Sequence, residues 1–304
     1  MNILVTGGAG FIGSHITDAY IKKGHRVSVV DDLTTGFRKN VNKKARFYQI
    51  DIRDNEALRT VIKREKPDII NHHAARAAVT ESIKNPIPTL EVNVLGTANL
   101  ALLAGEYGIK KFIFASTGGA MYGMGPFKKP VSEKTPENPI SPYGLSKQLA
   151  EQTIAYYAGT ACFEYLIFRY ANVFGPRQNP KGEAGVIAIF GALMKHGETP
   201  TIFGDGKKTR DYVYINDIVA ANVIGLKRGV NTTLNLGWEK ETQDNEVFRT
   251  LAMYTKFTEQ PLYAPHRNGE VFRCSLNAAK AAETIGWKPK TPFQKGVAKT
   301  VRTL

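Results

Sequence analysis

The feature that most constrains the fold is a regular alternation of strand-like and helix-like segments over residues 1–170. Several strand candidates are continuously apolar, as expected when helices cover both faces of a parallel sheet. The predicted strands are Ile3–Thr6, Val27–Asp31, Phe47–Ile50, Ile69–His72, Phe112–Ser116 and Tyr165–Arg169. The predicted helices are Ile12–Lys23, Asn55–Lys66, Pro88–Tyr107 and Pro142–Ala158. This alternation predicts an α/β fold with a doubly wound, Rossmann-type parallel sheet.

A glycine-rich turn follows the first predicted strand, in the stretch TGGAGFIGSH. Gly7 tolerates the backbone angles of a sharp strand-to-helix turn, and Gly10 leaves room for a pyrophosphate at the helix N-terminus. Gly13 allows the helix to pack closely on the strand. The second strand ends at Asp31, where a carboxylate can accept hydrogen bonds from ribose hydroxyls and would repel a 2′-phosphate. The pattern predicts a site for NAD rather than NADP, although a tight turn beside an exposed aspartate would also produce it.

The regular alternation ends after Arg169, where Gly and Pro become frequent in NVFGPRQNPKGEAG. Residues 1–170 are therefore predicted to form the NAD-binding domain, and residues 171–304 mainly a smaller C-terminal substrate-binding lobe. Some later segments, such as Tyr212–Leu226, can pack back against the sheet. Ligands of such sheets lie at the carboxyl ends of the strands, so a cleft is expected between the two parts.

Two further polar positions follow predicted strands. Asp51, in QIDIRD, is a candidate for contact with the adenine, but a turn or helix-capping role explains its spacing equally well. His72 and His73 resemble a metal-binding pair, yet the sequence offers no third convergent ligand. We expect the two histidines to end a strand beside the cofactor, and we assign no metal.

The stretch SPYGLSK places Tyr143 and Lys147 four residues apart at the start of a predicted helix. Because side chains at that spacing share one helix face, the ammonium can favour the phenolate of a tyrosine whose ordinary pKa is about 10. A strand also delivers Ser116 and Thr117, in FASTGGAMYG, to the carboxyl edge. A Tyr–Lys pair alone is common on surface helices. The order of glycine turn, strand-end aspartate, hydroxyl and Tyr–Lys pair is what indicates catalysis.

These motifs resemble those of the extended short-chain dehydrogenases/reductases, and within them the UDP-glucose 4-epimerase-like enzymes of the NAD-dependent epimerase/dehydratase family. The resemblance covers nearly the whole chain and includes TGGAGFIGSH, NVLGTANL, FASTGGAMYG, SPYGLSK, RYANVFGPRQ, GEAGVIAIF, IFGDGKKTRDYVYINDI and IGWKPKT. The first and fourth stretches mark the superfamily. RYANVFGPRQ together with RDYVYINDI is typical of enzymes that act on nucleotide sugars.

The resemblance implies a role for each matching position. Tyr143 would be the catalytic base, Lys147 would bind the nicotinamide ribose and tune the base, and Thr117 or Ser116 would bind the sugar O4. The implied NAD contacts are Gly7, Gly10, Phe11, Ile12, Gly13, Asp31, Asp32, Asp51, Ile52, Ala74, Asn93, Ser116, Tyr143, Lys147 and Tyr170. The implied substrate contacts are Thr117, Tyr143, Asn172, Val186, Thr201, Phe203, Arg210, Arg267, Glu270 and Cys274. The two arginines suit a diphosphate because a guanidinium fork matches phosphate oxygens, although each alone would more often be a surface charge.

The implied reaction is NAD-dependent 4-epimerisation of UDP-hexoses, UDP-glucose and UDP-galactose, through a 4-keto intermediate. Related dehydratases and decarboxylases carry acidic residues directly after the hydroxyl, whereas this chain has Gly118, Gly119 and Ala120 there. An epimerase is therefore favoured. The alternatives are another sugar-nucleotide reductase, dehydratase or decarboxylase, and a catalytically silent NAD-binding regulator.

Three positions depart from the family pattern. Glu270 stands where an aspartate is usual, so the ribose contact is expected to shift slightly, and Arg76 replaces a commonly uncharged residue. Cys274 occupies a position that carries a bulky tyrosine in epimerases restricted to unacetylated hexoses. Its small side chain predicts that UDP-GlcNAc and UDP-GalNAc are also accepted. A buried cysteine with no effect on selectivity is the alternative.

Composition narrows the choice of partners and compartment. Lys and Arg number 41 against 27 Asp and Glu, but the basic residues are scattered pairs without an arginine-rich arm, so no nucleic acid is expected. No apolar run approaches the ~20 residues of a membrane span, so no membrane is expected. Two cysteines make no disulfide framework, which favours a reducing cytoplasm. The helices Pro88–Tyr107 and Pro142–Ala158 resemble those of the family's dimer interface, so a homodimer is expected.

Overall fold

The computed structural model describes residues 1–125, 127, 130–181, 185–266 and 271–304. Its strands are β1 (Asn2–Thr6), β2 (Arg26–Asp31), β3 (Arg46–Gln49), β4 (Ile69–His72), β5 (Lys111–Thr117), β6 (Glu164–Tyr170), β7 (Asn172–Phe174), β8 (Thr201–Phe203), β9 (Thr209–Arg210), β10 (Tyr212–Tyr214), β11 (Thr232–Leu236), β12 (Thr242–Gln243) and β13 (Leu262–Ala264). Its helices are α1 (Phe11–Lys22), α2 (Asn55–Glu65), α3 (Val79–Lys84), α4 (Pro86–Leu90), α5 (Gly96–Glu106), α6 (Pro142–Ala161), α7 (Val186–Lys195), α8 (Ile215–Gly225), α9 (Asp244–Thr255), α10 (Ala279–Ile285) and α11 (Phe293–Val301).

A seven-stranded sheet with the order β11-β6-β5-β4-β1-β2-β3 forms the centre of the molecule. Every pairing in it is parallel, which confirms the predicted doubly wound α/β fold. The strands predicted from the alternation agree with β1 to β6 to within one residue at each end. The strand β11 comes from beyond residue 170, so the chain after that point completes the sheet.

Apolar side chains cover both faces of this sheet. On one face Tyr20 of α1 and Trp287 pack with strand residues such as Phe168. On the other face Leu100 of α5 and Ile154 of α6 pack with strand residues such as Phe112. Burying each large apolar side chain stabilises the fold by roughly 1.5–3 kcal/mol. The two layers hold the strands in a fixed relation and therefore hold their carboxyl ends together.

The helix predicted at residues 88–107 runs from Pro86 to Glu106, with a π-turn at Glu91–Leu95 between α4 and α5. By length and apolar composition it is the one helix among the described residues that could cross a membrane, and 44% of its most apolar stretch is buried in the molecule. It packs along α6. Each of the two helices also leaves large apolar side chains exposed, among them Leu95 and Tyr156.

The C-terminal lobe contains three two-stranded pairs, β7 with β10, β8 with β13 and β9 with β12. Its own apolar core includes Phe174, Phe190 and Leu251. Helix α8, from the segment that was expected to pack back, lies against α1. There the side chain of Asn222 accepts a hydrogen bond from Asn71 at 3.0 Å, which ties α8 to β4.

Candidate active site

The turn after β1 has a conformation that only glycine accommodates. Gly7 has a φ of +69°, and a Cβ on it would lie 2.6 Å from the backbone of His73. A Cβ on Gly13 would lie 2.2 Å from the carbonyl oxygen of Gly7. Both glycines therefore allow α1 to begin directly against the end of the sheet.

The N-terminus of α1 fits an anionic group. Gly10 is its N-cap, and no side chain of a described residue caps the helix there. The first turn, which begins with Phe11 and Ile12, contains no acidic side chain. The first amides of a helix lack intrahelical acceptors and lie at the positive end of its dipole. These features fit a dinucleotide pyrophosphate.

Asp31 lies at the end of β2 and is 6% exposed. Its carboxylate accepts hydrogen bonds from the amides of Ala9 and Leu33, each at 2.9 Å, and burial raises the pKa of the carboxyl. The side chain thus holds the glycine turn in place while its oxygens retain lone pairs for a ribose. Asp32 bonds the amide and hydroxyl of Thr34 at 2.9 and 2.7 Å.

Asp51 is engaged by its neighbour Arg53. The guanidinium approaches to 2.6 Å and also bonds Glu91 at 3.0 Å, and the hydrogen bonds from Arg53 lower the pKa of the Asp51 carboxyl. The backbone amide of Arg53 also donates to the Asp51 carboxylate at 2.8 Å, which is the turn role that the spacing allowed, and the adenine contact stays a prediction. Ile52 is buried beside Gly96 at the start of α5.

The end of β4 is fixed by hydroxyl groups. Nδ1 of His72 lies 2.6 Å from the hydroxyl of Thr6, and its Nε2 lies 2.9 Å from that of Thr97. The Thr6 hydroxyl also accepts hydrogen bonds from the amides of His73 and Ala74, each at 3.2 Å. Among the described residues, no group of three or more His, Cys, Asp or Glu side chains is arranged to hold a metal ion.

Tyr143 stands in the first turn of α6. Ser141 caps this helix by accepting a hydrogen bond from the amide of Gly144 at 3.1 Å. The Tyr143 side chain is hydrogen-bonded to that of Thr117 at the end of β5. Burial raises the pKa of Tyr143 to about 12, with the Thr117 hydrogen bond acting in the opposite direction. The ammonium on the same helix therefore does not by itself make this tyrosine a base at neutral pH.

Lys147 follows one turn later and is 4% exposed. Its ammonium donates to the carbonyl oxygen of Ala115 at 2.8 Å and lies 4.6 Å from the centre of the Phe114 ring. Burial lowers the pKa of Lys147 to about 7, and the charge of Glu151 opposes that decrease. The amine therefore lies close to its titration point at neutral pH.

Ser116 and Thr117 serve different partners, because successive strand side chains point to opposite faces. The Ser116 hydroxyl donates to Glu151, whereas Thr117 meets Tyr143. Glu151 is also held by the guanidinium of Arg169 at 2.6 Å. Glu151 and Arg169 were not predicted as part of the site. The four-residue spacing from Lys147 to Glu151 was the available signal.

Two other predicted NAD contacts form part of buried networks. Asn93 is 1% exposed, donates to the hydroxyl of Ser146 at 2.9 Å, and bonds the backbone of Arg76 in both directions at 2.8 and 2.9 Å. Tyr170 ends β6, and its hydroxyl accepts a hydrogen bond from Asn222 at 2.9 Å. Asn93 thus shapes the loop after β4, and Tyr170 borders the same edge.

The predicted substrate residues of the lobe are spread over short elements. Asn172 begins β7, Val186 begins α7, and Thr201 and Phe203 begin and end β8. Arg210 lies on β9, where its guanidinium donates to the carbonyl oxygen of Thr209 at 2.7 Å. Arg267 and Glu270 lie outside the described residues.

A buried carboxylate that sequence reasoning missed organises this side of the site. Asp211 accepts hydrogen bonds from the amides of Trp238 at 2.8 Å and of Glu239 and Leu276 at 3.1 Å. Burial raises its pKa to about 6. Three segments of the lobe therefore meet next to Arg210.

Cys274 is placed directly beside the end of β5. Its thiol donates to the carbonyl oxygen of Gly118 at 3.9 Å, and burial raises its pKa to about 11. Leu276 packs on Gly118 so closely that a Cβ there would lie 2.3 Å from the leucine side chain. The cysteine thus contacts the residue that follows Thr117, at the junction of sheet and lobe.

Comparison with known proteins gives consistent results. The sequence model of the NAD dependent epimerase/dehydratase family matches residues 3–237. A putative UDP-glucose 4-epimerase of Methanocaldococcus jannaschii is 46% identical over 299 residues, 98% of this chain and 97% of that protein. The structure of Thermotoga maritima UDP-glucose 4-epimerase with UDP-glucose is similar with a TM-score of 0.98 and 43% identity, covering 100% of this chain and 98% of that one. The Thermus thermophilus UDP-glucose 4-epimerase complex with NAD has a TM-score of 0.94 and 38% identity, with coverage of 100% and 98%.

Proposed function

Since the chain belongs to the NAD dependent epimerase/dehydratase family, we propose that it catalyses NAD-dependent 4-epimerisation of UDP-hexoses, converting UDP-galactose and UDP-glucose into one another. The observation that carries the proposal is the convergence of Tyr143, Thr117 and Lys147 at the end of β5. This convergence lies at the same sheet edge as the glycine turn. UDP-glucose and NAD are the ligands named for the Thermotoga and Thermus enzymes.

The residues at the sheet edge fit NAD. The amides at the start of α1 would hold the pyrophosphate, Asp31 the adenosine ribose, and Lys147 the nicotinamide ribose. NAD supplies hydride transfer at the sugar C4 when it is bound. We also propose that residues 1–170 mainly hold the dinucleotide, and that residues 171–304 mainly hold the sugar nucleotide.

The side chains of this protein supply the proton transfer. Tyr143 takes the proton of the sugar 4-hydroxyl and returns it, and Thr117 orients that oxygen by hydrogen bonding. A charged Lys147 lowers the cost of forming the phenolate, because an ammonium favours a nearby anion. The pKa of Tyr143 is about 12 in the protein alone. Tyr143 can therefore act as a base near neutral pH only when positive charges in the site stabilise its phenolate.

The segment after Thr117 favours epimerisation over dehydration. A dehydratase needs an acid and a base at neighbouring sugar carbons, whereas Gly118, Gly119 and Ala120 offer neither. Leu276 occupies the space beside Gly118. With a single proton-transfer group at this point, inversion at one carbon is the chemistry that the site supports.

The direct test is to incubate purified protein with UDP-galactose and no added NAD, and to follow the sugar by NMR. Because the cofactor is regenerated in each cycle and can stay bound, we expect equilibration with UDP-glucose. Loss of the 6-hydroxyl or of a carboxyl group would instead identify a dehydratase or a decarboxylase. Salt-sensitive RNA binding without sugar turnover would identify a silent regulator. A mass spectrum of the co-purifying nucleotide should show NAD.

We propose that the protein works as a homodimer in a reducing cytoplasm. Exposed Leu95 and Tyr156 on the helices beside one another support an interface there. Cys162 and Cys274 are both unpaired, which supports the compartment. Sedimentation should give twice the chain mass of 33.5 kDa, and Leu95→Lys should shift it towards one copy.

A further inference from the structure

A buried ionic cluster lies behind the Tyr–Lys pair, and no role in the reaction has been assigned to it. Both carboxylate oxygens of Glu151 accept hydrogen bonds from Arg169, at 2.9 and 3.2 Å from Nε and 2.6 Å from Nη2. Glu151 also accepts the hydroxyl of Ser116. Arg169 further bonds Glu137 and the hydroxyl of Tyr122, the latter at 3.0 Å.

The cluster gives the buried carboxylate of Glu151 a charged partner. Glu151 is 6% exposed and Arg169 is 3% exposed. A guanidinium stays charged at any accessible pH and matches a carboxylate bidentately. Arg169 is shared with Glu137, so the guanidinium does not cancel the charge of Glu151 alone. A negative charge is therefore fixed one helical turn from Lys147.

The other direct contacts of Lys147 are with uncharged groups. From β5 it meets the Ala115 carbonyl and the Phe114 ring, which favour the ammonium less strongly than an anion would. At the end of β4, His72 and the following His73 are neutral, because burial lowers the pKa of His72 well below its usual value and that of His73 to about 3. On its own helix it has Tyr143 and Glu151, and β6 contributes Arg169 only behind Glu151. Glu151 is thus the anion that faces the ammonium.

We propose that Glu151, held by Arg169 and Ser116, is a positioning residue that keeps Lys147 charged and thereby keeps Tyr143 able to act as a base. Glu151 does not contact the reacting atoms; it acts through Lys147. Without its charge, burial makes Lys147 neutral within the working pH range. The phenolate of Tyr143 then loses the cation that stabilises it. This role rests on the proposed function for its consequence in turnover.

The test compares Glu151→Gln with Glu151→Asp, which retains the charge. We expect the high-pH limb of the kcat/KM profile for UDP-galactose to move to lower pH by about one unit in Glu151→Gln. At pH values above the limb, kcat/KM should therefore be about tenfold lower than in the unmodified protein. Glu151→Asp should keep the limb within about 0.3 unit of the unmodified protein. Glu137→Gln is the matched control, because the side-chain contacts of Glu137 are with Arg169 and Gln148, and it should move the limb less.

A second readout does not need turnover. The proton of the Lys147 side chain, followed by the carbon-13 shift of its ε-carbon in labelled protein and identified by its absence from Lys147→Met, should be lost at lower pH in Glu151→Gln than in the unmodified protein. Should Glu151→Gln not fold, the double variant Glu151→Gln/Arg169→Met removes the unpaired guanidinium and takes its place in both measurements. A limb and a Lys147 titration that stay unmoved overturn the role of Glu151. Failure of the unmodified protein to convert UDP-galactose would instead overturn the proposed function, while the Lys147 titration still decides on Glu151.

Discussion

The carboxyl edge of the central sheet and the C-terminal lobe are built in different ways. At the sheet edge, the residues expected to hold the dinucleotide and move the proton stand on β5, on α1 and on the 20-residue helix α6, all packed in a common core. In the lobe, several residues expected to bind the sugar nucleotide, among them Thr201, Phe203 and Arg210, stand on strands of two or three residues. Regular elements carry the residues proposed for the chemistry, whereas Asp211 and its backbone hydrogen bonds hold segments of the lobe together.

This difference indicates how each side can be damaged. Lys147, a proposed catalytic group, is fixed by a hydrogen bond to the backbone of β5, so a substitution there should change the chemistry without moving the frame. The segments around Asp211 are joined through its carboxylate, so the loss of that carboxylate should displace several of them. Substitutions at the sheet edge should therefore affect kcat, and substitutions in the lobe should affect KM.

The largest effect is expected for Tyr143→Phe, which removes the proton acceptor and leaves the ring in place. The kcat for UDP-galactose should fall about 10³-fold, with NAD content and melting temperature unchanged. Tyr254→Phe, at an exposed tyrosine of α9, is the control and should be neutral. Activity retained in Tyr143→Phe would contradict the assignment of the proton transfer to this edge of the sheet.

Lys147→Met should lower kcat about 10²-fold and should also change how stability depends on pH. The pKa of Lys147 is about 7 in the fold against 10.5 in a free lysine. The unfolded chain therefore binds more protons between these values, and the free energy of unfolding rises with pH across that window, by about 2 kcal/mol from pH 7 to 9. Urea unfolding at both pH values should show this rise in the unmodified protein and its loss in Lys147→Met. Lys63→Met, an exposed lysine on α2, should keep the rise.

On the lobe side, Asp211→Asn should raise the KM for UDP-galactose about thirtyfold and leave kcat within about threefold. The amide nitrogen of the new side chain would face a backbone N–H whose hydrogen bond the carboxylate now accepts, and that bond would be lost. Steady-state kinetics with full NAD occupancy separate the two constants. Asp205→Asn, in an exposed loop of the same lobe, should change neither. A fall in kcat with constant KM would contradict the assignment of this side to substrate binding.

The smallest effect is expected at the junction of the two sides. Cys274→Tyr should lower kcat/KM for UDP-GalNAc relative to UDP-galactose about tenfold, because the larger side chain would fill space beside Gly118. The ratio measured in one reaction mixture gives the selectivity directly. Cys162→Tyr, at the exposed cysteine, controls for the added ring. An unchanged ratio in Cys274→Tyr would leave the cysteine without a role in selectivity.

The sequence predicts those elements whose structure depends on residues close together in the chain. The alternation predicts β1 to β6, because each strand buries its own apolar residues, and the glycine turn predicts the start of α1. The strand β11, with the sequence TTLNL, carries no comparable signal, since its place in the sheet comes from pairing with β6. The Glu151–Arg169 pair and Asp211 join residues distant in the chain. Such contacts become visible only when the fold brings them together.

The position of β11 has a consequence for synthesis. The strand β6 pairs with β5 on one side and with β11 on the other, and β11 ends at Leu236. Until that residue has left the ribosome, the nascent chain presents β6 as an open edge able to pair with other chains. Translation that stops between residues 170 and 232 should therefore yield an aggregating fragment instead of a small dinucleotide-binding protein. We expect chaperones to be needed in the interval before β11 pairs with β6.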